Sequence, residues 1–232
     1  MSFSGFYRET FEFLFEIAFN NNVEWFNENK ARYERFVKAP LRHLASELME
    51  DALKVDPNFS PNLNTSVSRI RRDTRFTYDK SPFRSHMWIG FRYPKTRISE
   101  SSMIYFEITP DGYSYGFGLY SASTEFMTAY RKRLLSDPQG FLKLARTLKK
   151  QGYSLDAESY KRDRFPDAPE ELKPYLNVKY FGWGKRFSGV KELIEPSDIE
   201  QRLRAEMKVM KPMYELIRSV QKTVVEAENE PM

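Results

Sequence analysis

The sequence predicts an α+β protein in which helices cover a mostly antiparallel sheet. Three observations support this: apolar residues at helical spacing up to residue 55, apolar and polar residues that alternate between residues 66 and 120, and helical spacing again from residue 124. No linker or shift in composition separates two halves of the chain. We therefore expect a single domain over residues 1–225, followed by a flexible tail over residues 226–232.

The first part of the chain predicts three helices. Ser4 is a candidate N-cap for a helix over residues 5–19, and the asparagines at 20–22 end it, because short amides compete for backbone hydrogen bonds. A second helix is expected over residues 23–37. Pro40 then begins a third helix, since proline is tolerated in a first turn.

The middle of the chain predicts strands. A loop over residues 56–64 precedes four apolar-rich segments, which are SVSRI, HMWIGFRYP, MIYFEIT and YSYGFGLYS between residues 66 and 121. Pro110-Asp111-Gly112 separates the last two segments, and this turn sequence predicts a hairpin. In its first strand Ile104, Phe106 and Ile108 alternate with polar positions, which is typical of a half-buried strand.

Helical spacing dominates the last part of the chain. Helices are expected over residues 124–135 and 137–150, with Asp137 as N-cap of the second. Residues 152–190 predict irregular structure with a short strand near 178–181. A long helix follows from Ser197, and we expect Pro212 to kink or divide it.

Composition excludes several classes of site. The chain has no cysteine, so it has no disulfide, thiolate nucleophile or zinc–thiolate centre. With two histidines, His43 and His86, we predict no metal site, and no cofactor motif is present. The N-terminal apolar run is broken by Glu9, Glu12 and Glu16, and no run approaches the roughly 18 apolar residues of a spanning helix. We therefore expect no membrane association and a cytoplasmic location.

Positive charge is concentrated in one segment, RIRRDTRFTYDKSPFR at residues 69–84. Six cations accompany two aspartates there, and five of the six are arginines, whose planar donors suit bidentate contact with phosphate or carboxylate. In a strand, Arg69, Arg71 and Asp73 would share one face, with Ile70 on the other and the two guanidinium groups about 7 Å apart. This arrangement predicts a site for an anion.

Two motifs give a family resemblance. They are NNxxWFxxNKxxY from residue 21 and RxxRDxRFxxDKxPFR from residue 69. The sequence resembles a family of conserved hypothetical proteins of bacteria and fungi, known only as a domain of unknown function. The resemblance implies a compact α+β domain with no established activity, substrate or cofactor.

The leading hypothesis is a binding site for a small phosphorylated or carboxylated ligand. Arg69, Arg72 and Arg75 would be the primary contacts, and Arg72 is included because it belongs to the second motif. Asp73 and Asp79 would orient them, with Lys80 and Arg84 adding charge. Asn29 and Lys30 complete the predicted ligand-binding set; alternatively, Trp25, Phe26 and Tyr33 pack in the core while Asn29 caps a backbone group.

Other functions stay open at this stage. The same arginines and aspartates are also typical of a structural ion-pair network that needs no ligand. An enzyme would use Asp73 or Asp79 as a general base beside an arginine-bound substrate. The net charge of +5 leaves nucleic acid as a possible partner, and the sequence determines neither a reaction nor an oligomeric state.

Overall fold

The computed structural model describes residues 2–75, 78–94, 102–119 and 121–229. Within these residues five strands form one antiparallel sheet, with the order β1-β2-β3-β5-β4. The α+β class and the antiparallel sheet predicted from the sequence are therefore confirmed.

Helices and strands follow one another along the chain in blocks. The helices are α1 (Arg8–Phe19), α2 (Val23–Glu28), α3 (Lys30–Arg32), a π-helix (Tyr33–Lys38), α4 (Ala39–Val55), α5 (Leu63–Ser66), α6 (Thr124–Ser136), α7 (Pro138–Lys150), α8 (Lys173–Leu176), a 3₁₀ helix (Lys191–Leu193) and α9 (Ile199–Asn229). The strands are β1 (Met87–Phe91), β2 (Met103–Ile108), β3 (Gly112–Gly118), β4 (Ser154–Ser159) and β5 (Val178–Ser188). None of the helices in the described part of the chain combines the length and apolar character needed to cross a membrane.

The chain forms two compact units. The first comprises Met1–Phe91, Tyr105–Tyr115 and Arg186–Met207, and the second comprises Arg92–Ile104, Gly116–Lys185 and Lys208–Met232. In the core of the first unit the rings of Phe6 and Phe106 stack 6.1 Å apart. In the second, Tyr130 stacks on Phe181 at 4.4 Å. The single domain expected from the sequence stays a prediction, and all the candidate site residues discussed below belong to the first unit.

The prediction that Ser4 caps the first helix is wrong. Helix α1 begins at Arg8, after Tyr7, and no side chain caps it. Residues before the helix are extended instead, because Phe6 makes a parallel bridge with Ile194. The Ser4 hydroxyl donates to Glu195 Oε1 at 2.6 Å, so its hydrogen bond goes to that neighbouring segment and not to the helix.

The helical region between residues 23 and 55 differs from the two predicted helices. The first helix, α2, ends at Asn29, its C-cap. From Lys30 the helical backbone is continuous through α3, the π-helix and Pro40 into α4. Proline has no N–H, so Pro40 leaves the carbonyl of Phe36 without its usual donor four residues later. The buried Thr10 hydroxyl donates to that carbonyl at 2.5 Å, which allows the helix to pass through the proline.

Strands β1 and β2 lie within the predicted apolar segments, and β3 begins at Gly112, one residue before its predicted segment. The turn at residues 110–112 joins β2 to β3, and the Thr109 N–H donates to the Gly112 carbonyl at 2.9 Å, as expected for a hairpin. The apolar positions of β2 are buried in alternation, as predicted. The predicted strand SVSRI is wrong, because Ser66 ends helix α5 and the residues after it make isolated bridges only.

The expectation over residues 152–190 is correct only in part: the short strand predicted near 178–181 lies within β5, but β4 and the rest of β5 were expected to be irregular. Strand β5 has eleven residues, and its residues 178–184 pair with β4. Its buried positions, among them Phe181 and Trp183, alternate with glycines and cations that obscured the pattern. Strand β4 is polar and mostly exposed, as expected at a sheet edge where backbone pairing determines the strand.

The last helix is continuous. Helix α9 extends from Ile199 to Asn229 with Pro212 inside it, so the predicted division into two helices does not occur. The predicted tail begins at residue 226, but helical backbone continues through Asn229. Residues 230–232 of that tail lie outside the described residues.

Candidate functional site

The arginine-rich segment forms an irregular hairpin. The Arg72 N–H donates to the Pro82 carbonyl at 2.9 Å, and the Arg84 N–H donates to the Ile70 carbonyl at 2.8 Å. We call residues 67–72 and 82–89 the base of this hairpin, and residues 73–81 its tip. Phe76 of the second motif lies outside the described residues, as does its neighbour Thr77.

The first motif holds the base of the hairpin. The Asn21 amide donates to the Phe83 carbonyl and its oxygen accepts from the Phe83 N–H, both at 2.9 Å. The Phe26 ring stacks on the fully buried Phe83 ring at 4.3 Å. A paired amide and a stacked ring therefore attach the two motifs to each other, although they lie some sixty residues apart in sequence.

Tyr33 and Asn29, also in the first motif, have structural contacts. Tyr33 is buried against Phe26 and hydrogen-bonds the Ile70 backbone, and burial raises the pKa of its hydroxyl well above the usual value. The Asn29 amide donates to the Trp25 carbonyl at 3.0 Å, and its oxygen accepts from Arg32 at 2.9 Å. Lys30 is exposed. Among the described residues, no hydrogen bond or ion pair joins Asn29 or Lys30 to the hairpin.

Arg84 braces the backbone of the base. Its Nη1 donates to the carbonyls of Arg69 at 2.8 Å and Arg71 at 2.7 Å. Its guanidinium carbon lies 5.2 Å from the centroid of the Trp88 ring. Burial, and then the nearby charge of Arg72, lower the pKa of Arg84 from its usual value. Arg84 therefore orients main chain at the two positions that carry Arg69 and Arg71.

Arg75 and Asp73 pair with each other at the tip. Arg75 Nε donates to Asp73 Oδ1 at 2.9 Å, and Arg75 Nη2 donates to Asp73 Oδ2 at 2.7 Å. These bonds, with a further one from the Arg75 N–H, lower the pKa of Asp73 to about 2. Both side chains are at least half exposed, so the pair is local and solvated.

Arg72 and Lys80 also make contacts within the segment. Arg72 Nη1 donates to Asp79 Oδ2, and Asp79 Oδ1 accepts from the Ser81 N–H at 2.9 Å. Hydrogen bonds from Ser81, and then the Arg72 charge, lower the pKa of Asp79. Lys80 Nζ donates to the Thr74 carbonyl at 2.8 Å. Arg72 Nε is buried and has no hydrogen-bond partner in the described part of the chain.

Arg69 and Arg71 are placed differently, beside a pocket of about 220 Å³. Their exposure alternates with the buried Ile70, as the strand pattern predicted. Arg71 lies over the Phe83 ring at 5.3 Å, and neither arginine forms an ion pair with any other described residue. The residues that line the pocket are Tyr33, Lys38, Arg42, Leu63, Asn64, Val67, Ser68, Arg69, Ile70 and Arg71.

The charge of this pocket is one-sided. Four of the described lining residues are cations and none is Asp or Glu. Lys38 pairs with Glu34 at 2.8 Å, and Arg42 donates to the Asn64 amide oxygen at 2.5 Å. Even with Glu34 counted, the cations outnumber the carboxylates, so the pocket carries a positive potential in a concave surface.

The π-helix explains how Tyr33 and Lys38 both reach the pocket. They are its first and last residues, five positions apart. In an α-helix such residues point about 140° apart. The wider turn of a π-helix, whose hydrogen bonds join residues five apart, returns them to the same side. The π-helix therefore places the Lys38 ammonium group and the Tyr33 ring together in the wall of the pocket.

Sequence reasoning missed the role of four residues in this region. Lys38 and Arg42 lie four apart on a helix, a spacing that places both on one face, but Pro40 between them suggested a helix boundary. Asn21 was recognised within a motif, yet its bond to Phe83 depends on tertiary contact. Arg71 was predicted to share a face with Arg69 and was not included in the ligand-binding set.

The carboxylates of the hairpin have limited chemistry at neutral pH. A group with a pKa of about 2, such as Asp73, is a weak base, and neither Asp73 nor Asp79 lines the pocket. Within the described residues, no cluster of three or more Asp, Glu or His side chains is arranged to bind a metal ion. The chemistry that the pocket offers is hydrogen-bond donation and positive charge.

The fold and this site define a helix-rich α+β protein with an arginine-lined pocket. The chain belongs to the family described as conserved hypothetical protein (DUF2461), whose model matches residues 9–216, about nine tenths of the sequence. Both motifs lie within the matched range, and the family resemblance inferred from them is confirmed. No curated protein matches the chain.

Proposed function

We propose that the protein binds a small anionic ligand in the pocket at the base of the arginine hairpin. The observation that carries the proposal is the set of four cations, Lys38, Arg42, Arg69 and Arg71, around a pocket without a lining carboxylate. Cations that only form structural ion pairs are expected to lie beside carboxylates, as Arg72 and Arg75 do. Here the balancing charge would come from the ligand.

The proposal keeps the arginine-rich segment as the site but divides its residues by role. Arg69, with Arg71, contacts the ligand. Arg84 positions the backbone of both through their carbonyls. Arg72, Asp73, Arg75, Asp79 and Lys80, which complete the predicted set in this segment, hold the tip through the contacts described above. Anion binding and a cytoplasmic location stay predictions, as do the enzyme and nucleic-acid alternatives.

The test is anion binding by the wild-type chain and by the Arg69→Gln/Arg71→Gln double variant. Glutamine keeps much of each side-chain stem and removes the charge. Inorganic phosphate, sulfate and succinate would be titrated by calorimetry and by thermal unfolding. A ligand at 100 times its Kd adds about 2.7 kcal/mol to stability, which amounts to several degrees for a chain of this length.

The matched control is Arg75→Gln, which removes one charge from the same segment but outside the pocket. We expect at least one anion to bind, the double variant to lose at least tenfold in affinity, and the control to match the wild type. Equal losses in both variants would indicate general electrostatic attraction to the segment. If no anion binds the wild type, the proposal fails.

A further inference from the structure

We infer that the ligand of this pocket is a phosphate monoester of a small alcohol or phenol, bound as the dianion. This inference rests on the proposed function and names the class of ligand within it. It draws on the charge of the pocket, the directions from which its donors come, its size and its apolar wall.

The number of cations favours a doubly charged group. Lys38, Arg42, Arg69 and Arg71 surround the pocket, and only Lys38 among them pairs with a described carboxylate, that of Glu34. A carboxylate brings one negative charge and leaves most of this excess in place. A phosphate monoester brings close to two charges at neutral pH. The attraction therefore increases with the second charge, in a concave site where screening by solvent is reduced.

The donors approach from separate elements. Lys38 comes from the π-helix, Arg42 from α4, and Arg69 and Arg71 from the hairpin base. Donors from several directions suit a tetrahedral group with three terminal oxygens better than a planar carboxylate with two. Arginine also presents parallel N–H groups that match two phosphate oxygens at once. The arrangement thus favours phosphate on geometry as well as on charge.

The size and wall of the pocket limit the rest of the ligand. Its volume of about 220 Å³ is below the roughly 300–1,000 Å³ of sites for drug-sized molecules, which excludes a complete dinucleotide from the pocket. The side chains of Tyr33, Leu63, Val67 and Ile70 provide the apolar part of the pocket wall. A compact body with apolar surface, attached to the phosphate, would contact this wall.

The test uses probes that share a body and differ in the charged group. Phenyl phosphate, phenyl sulfate and benzoate would be titrated calorimetrically into the wild-type chain at pH 7.5 and 5.5. At pH 7.5 we expect phenyl phosphate to bind at least tenfold more tightly than the other two. Because its second pKa is about 6, its affinity should fall severalfold at pH 5.5, while that of phenyl sulfate should stay constant.

The decrease in phenyl phosphate affinity at pH 5.5 can be assigned to the ligand once the titratable groups around the pocket are considered. The cations that face the pocket are Lys38, Arg42, Arg69 and Arg71. Tyr33 stays neutral because burial raises its pKa. Glu34, the carboxylate that pairs with Lys38, would be removed in a Glu34→Gln variant measured in parallel. The decrease at pH 5.5 should persist in that variant.

The outcomes separate this inference from the proposed function. If all three probes bind equally and without pH dependence, the pocket binds anions and the phosphate class is overturned. If none binds the folded wild-type chain, both proposals fail together. If only a long polyanion such as single-stranded DNA binds, and with steep salt dependence, the partner is nucleic acid and a small ligand is excluded. Tighter binding of phenyl phosphate, abolished in Arg69→Gln/Arg71→Gln, supports the inference.

Discussion

The base and the tip of the arginine hairpin both carry cations but have different surroundings. The carboxylates of the tip are paired: Asp73 with Arg75 two residues away, and Asp79 with Arg72 at the edge of the base. At the base, Arg69 and Arg71 line a pocket whose described walls contain no carboxylate. Arginines occur in both parts, so the presence of arginine does not by itself identify a binding site.

The two parts also differ in what holds them. The tip is held by contacts between residues two to seven positions apart, such as that of Lys80 with the Thr74 carbonyl. The base is held by tertiary contacts from the first motif, in which Asn21 bonds the Phe83 backbone and Phe26 stacks on its ring. A cationic pocket requires this support, because like charges brought together repel one another.

The largest effect is expected from removing the amide that attaches the base. Asn21→Ala deletes both hydrogen bonds to Phe83 and leaves a partly buried N–H and C=O without their partner. We expect a loss of about 2 kcal/mol, since each unsatisfied buried group costs roughly 1–3 kcal/mol and this site is partly solvated. Urea unfolding monitored by tryptophan fluorescence measures it.

The neighbouring amide provides the control for this variant. Asn20 is exposed, and its side chain donates locally to the Glu16 carbonyl at the end of α1. Asn20→Ala should therefore change the unfolding midpoint much less than Asn21→Ala. Equal effects in both variants would mean that the asparagines stabilise the end of helix α1 and do not attach the hairpin.

The sequence predicted those features that depend on local patterns. Alternation identified β2, the turn at residues 110–112 identified its hairpin, and strand parity placed Arg69 and Arg71 on the exposed side of Ile70. Each of these follows from residues that are close together in the chain.

Features that depend on distant residues were not predictable in this way. The helix passes through Pro40 because a hydroxyl thirty residues earlier, that of Thr10, satisfies the Phe36 carbonyl. Lys38 joins the pocket through a π-helical turn that no local motif indicates. Strand β4 has only two apolar residues, Leu155 and Ala157, so its alternation is short and weak, and its pairing with β5 is what establishes it as a strand. At Pro40 and in β4 the determining contact is a tertiary one, which the local sequence does not show.

An intermediate effect is expected at Arg84, which acts on the pocket through the backbone. Arg84→Met keeps an apolar stem beside Trp88 but removes the donors to the Arg69 and Arg71 carbonyls. We expect a loss of about 1 kcal/mol in stability, in the range of a typical net hydrogen bond. Phenyl phosphate affinity should also fall, by less than in the Arg69→Gln/Arg71→Gln variant. Unfolding and calorimetry measure the two effects.

Conservative replacement distinguishes positioning from a merely structural role. Lysine can donate to one of the two carbonyls, so Arg84→Lys should recover part of the lost affinity as well as part of the stability. An unchanged affinity in Arg84→Met would show that the pocket arginines do not depend on this brace. A loss equal to that of the double variant would instead mean that Arg84 contacts the ligand.

The smallest effect is expected at the tip, and its pH dependence has a defined sign. Arg75 lowers the pKa of Asp73 from 3.8 to about 2 in the folded chain. The pair therefore contributes stability fully above pH 4 and loses that contribution as the pH falls through about 2. Urea midpoints of the wild type and Asp73→Asn should differ slightly and constantly from pH 7 to 5, then converge towards pH 2.

A double-mutant cycle tests whether that difference belongs to the pair. With Arg75→Gln as the second change, the double variant should unfold at the same midpoint as either single variant, because one interaction is removed in all three. Phenyl phosphate should bind each of them as it binds the wild type. A tenfold loss of affinity in Asp73→Asn would reverse the comparison, because it would place the ligand at the tip, where the charges are already paired, and leave the cations of the base unexplained.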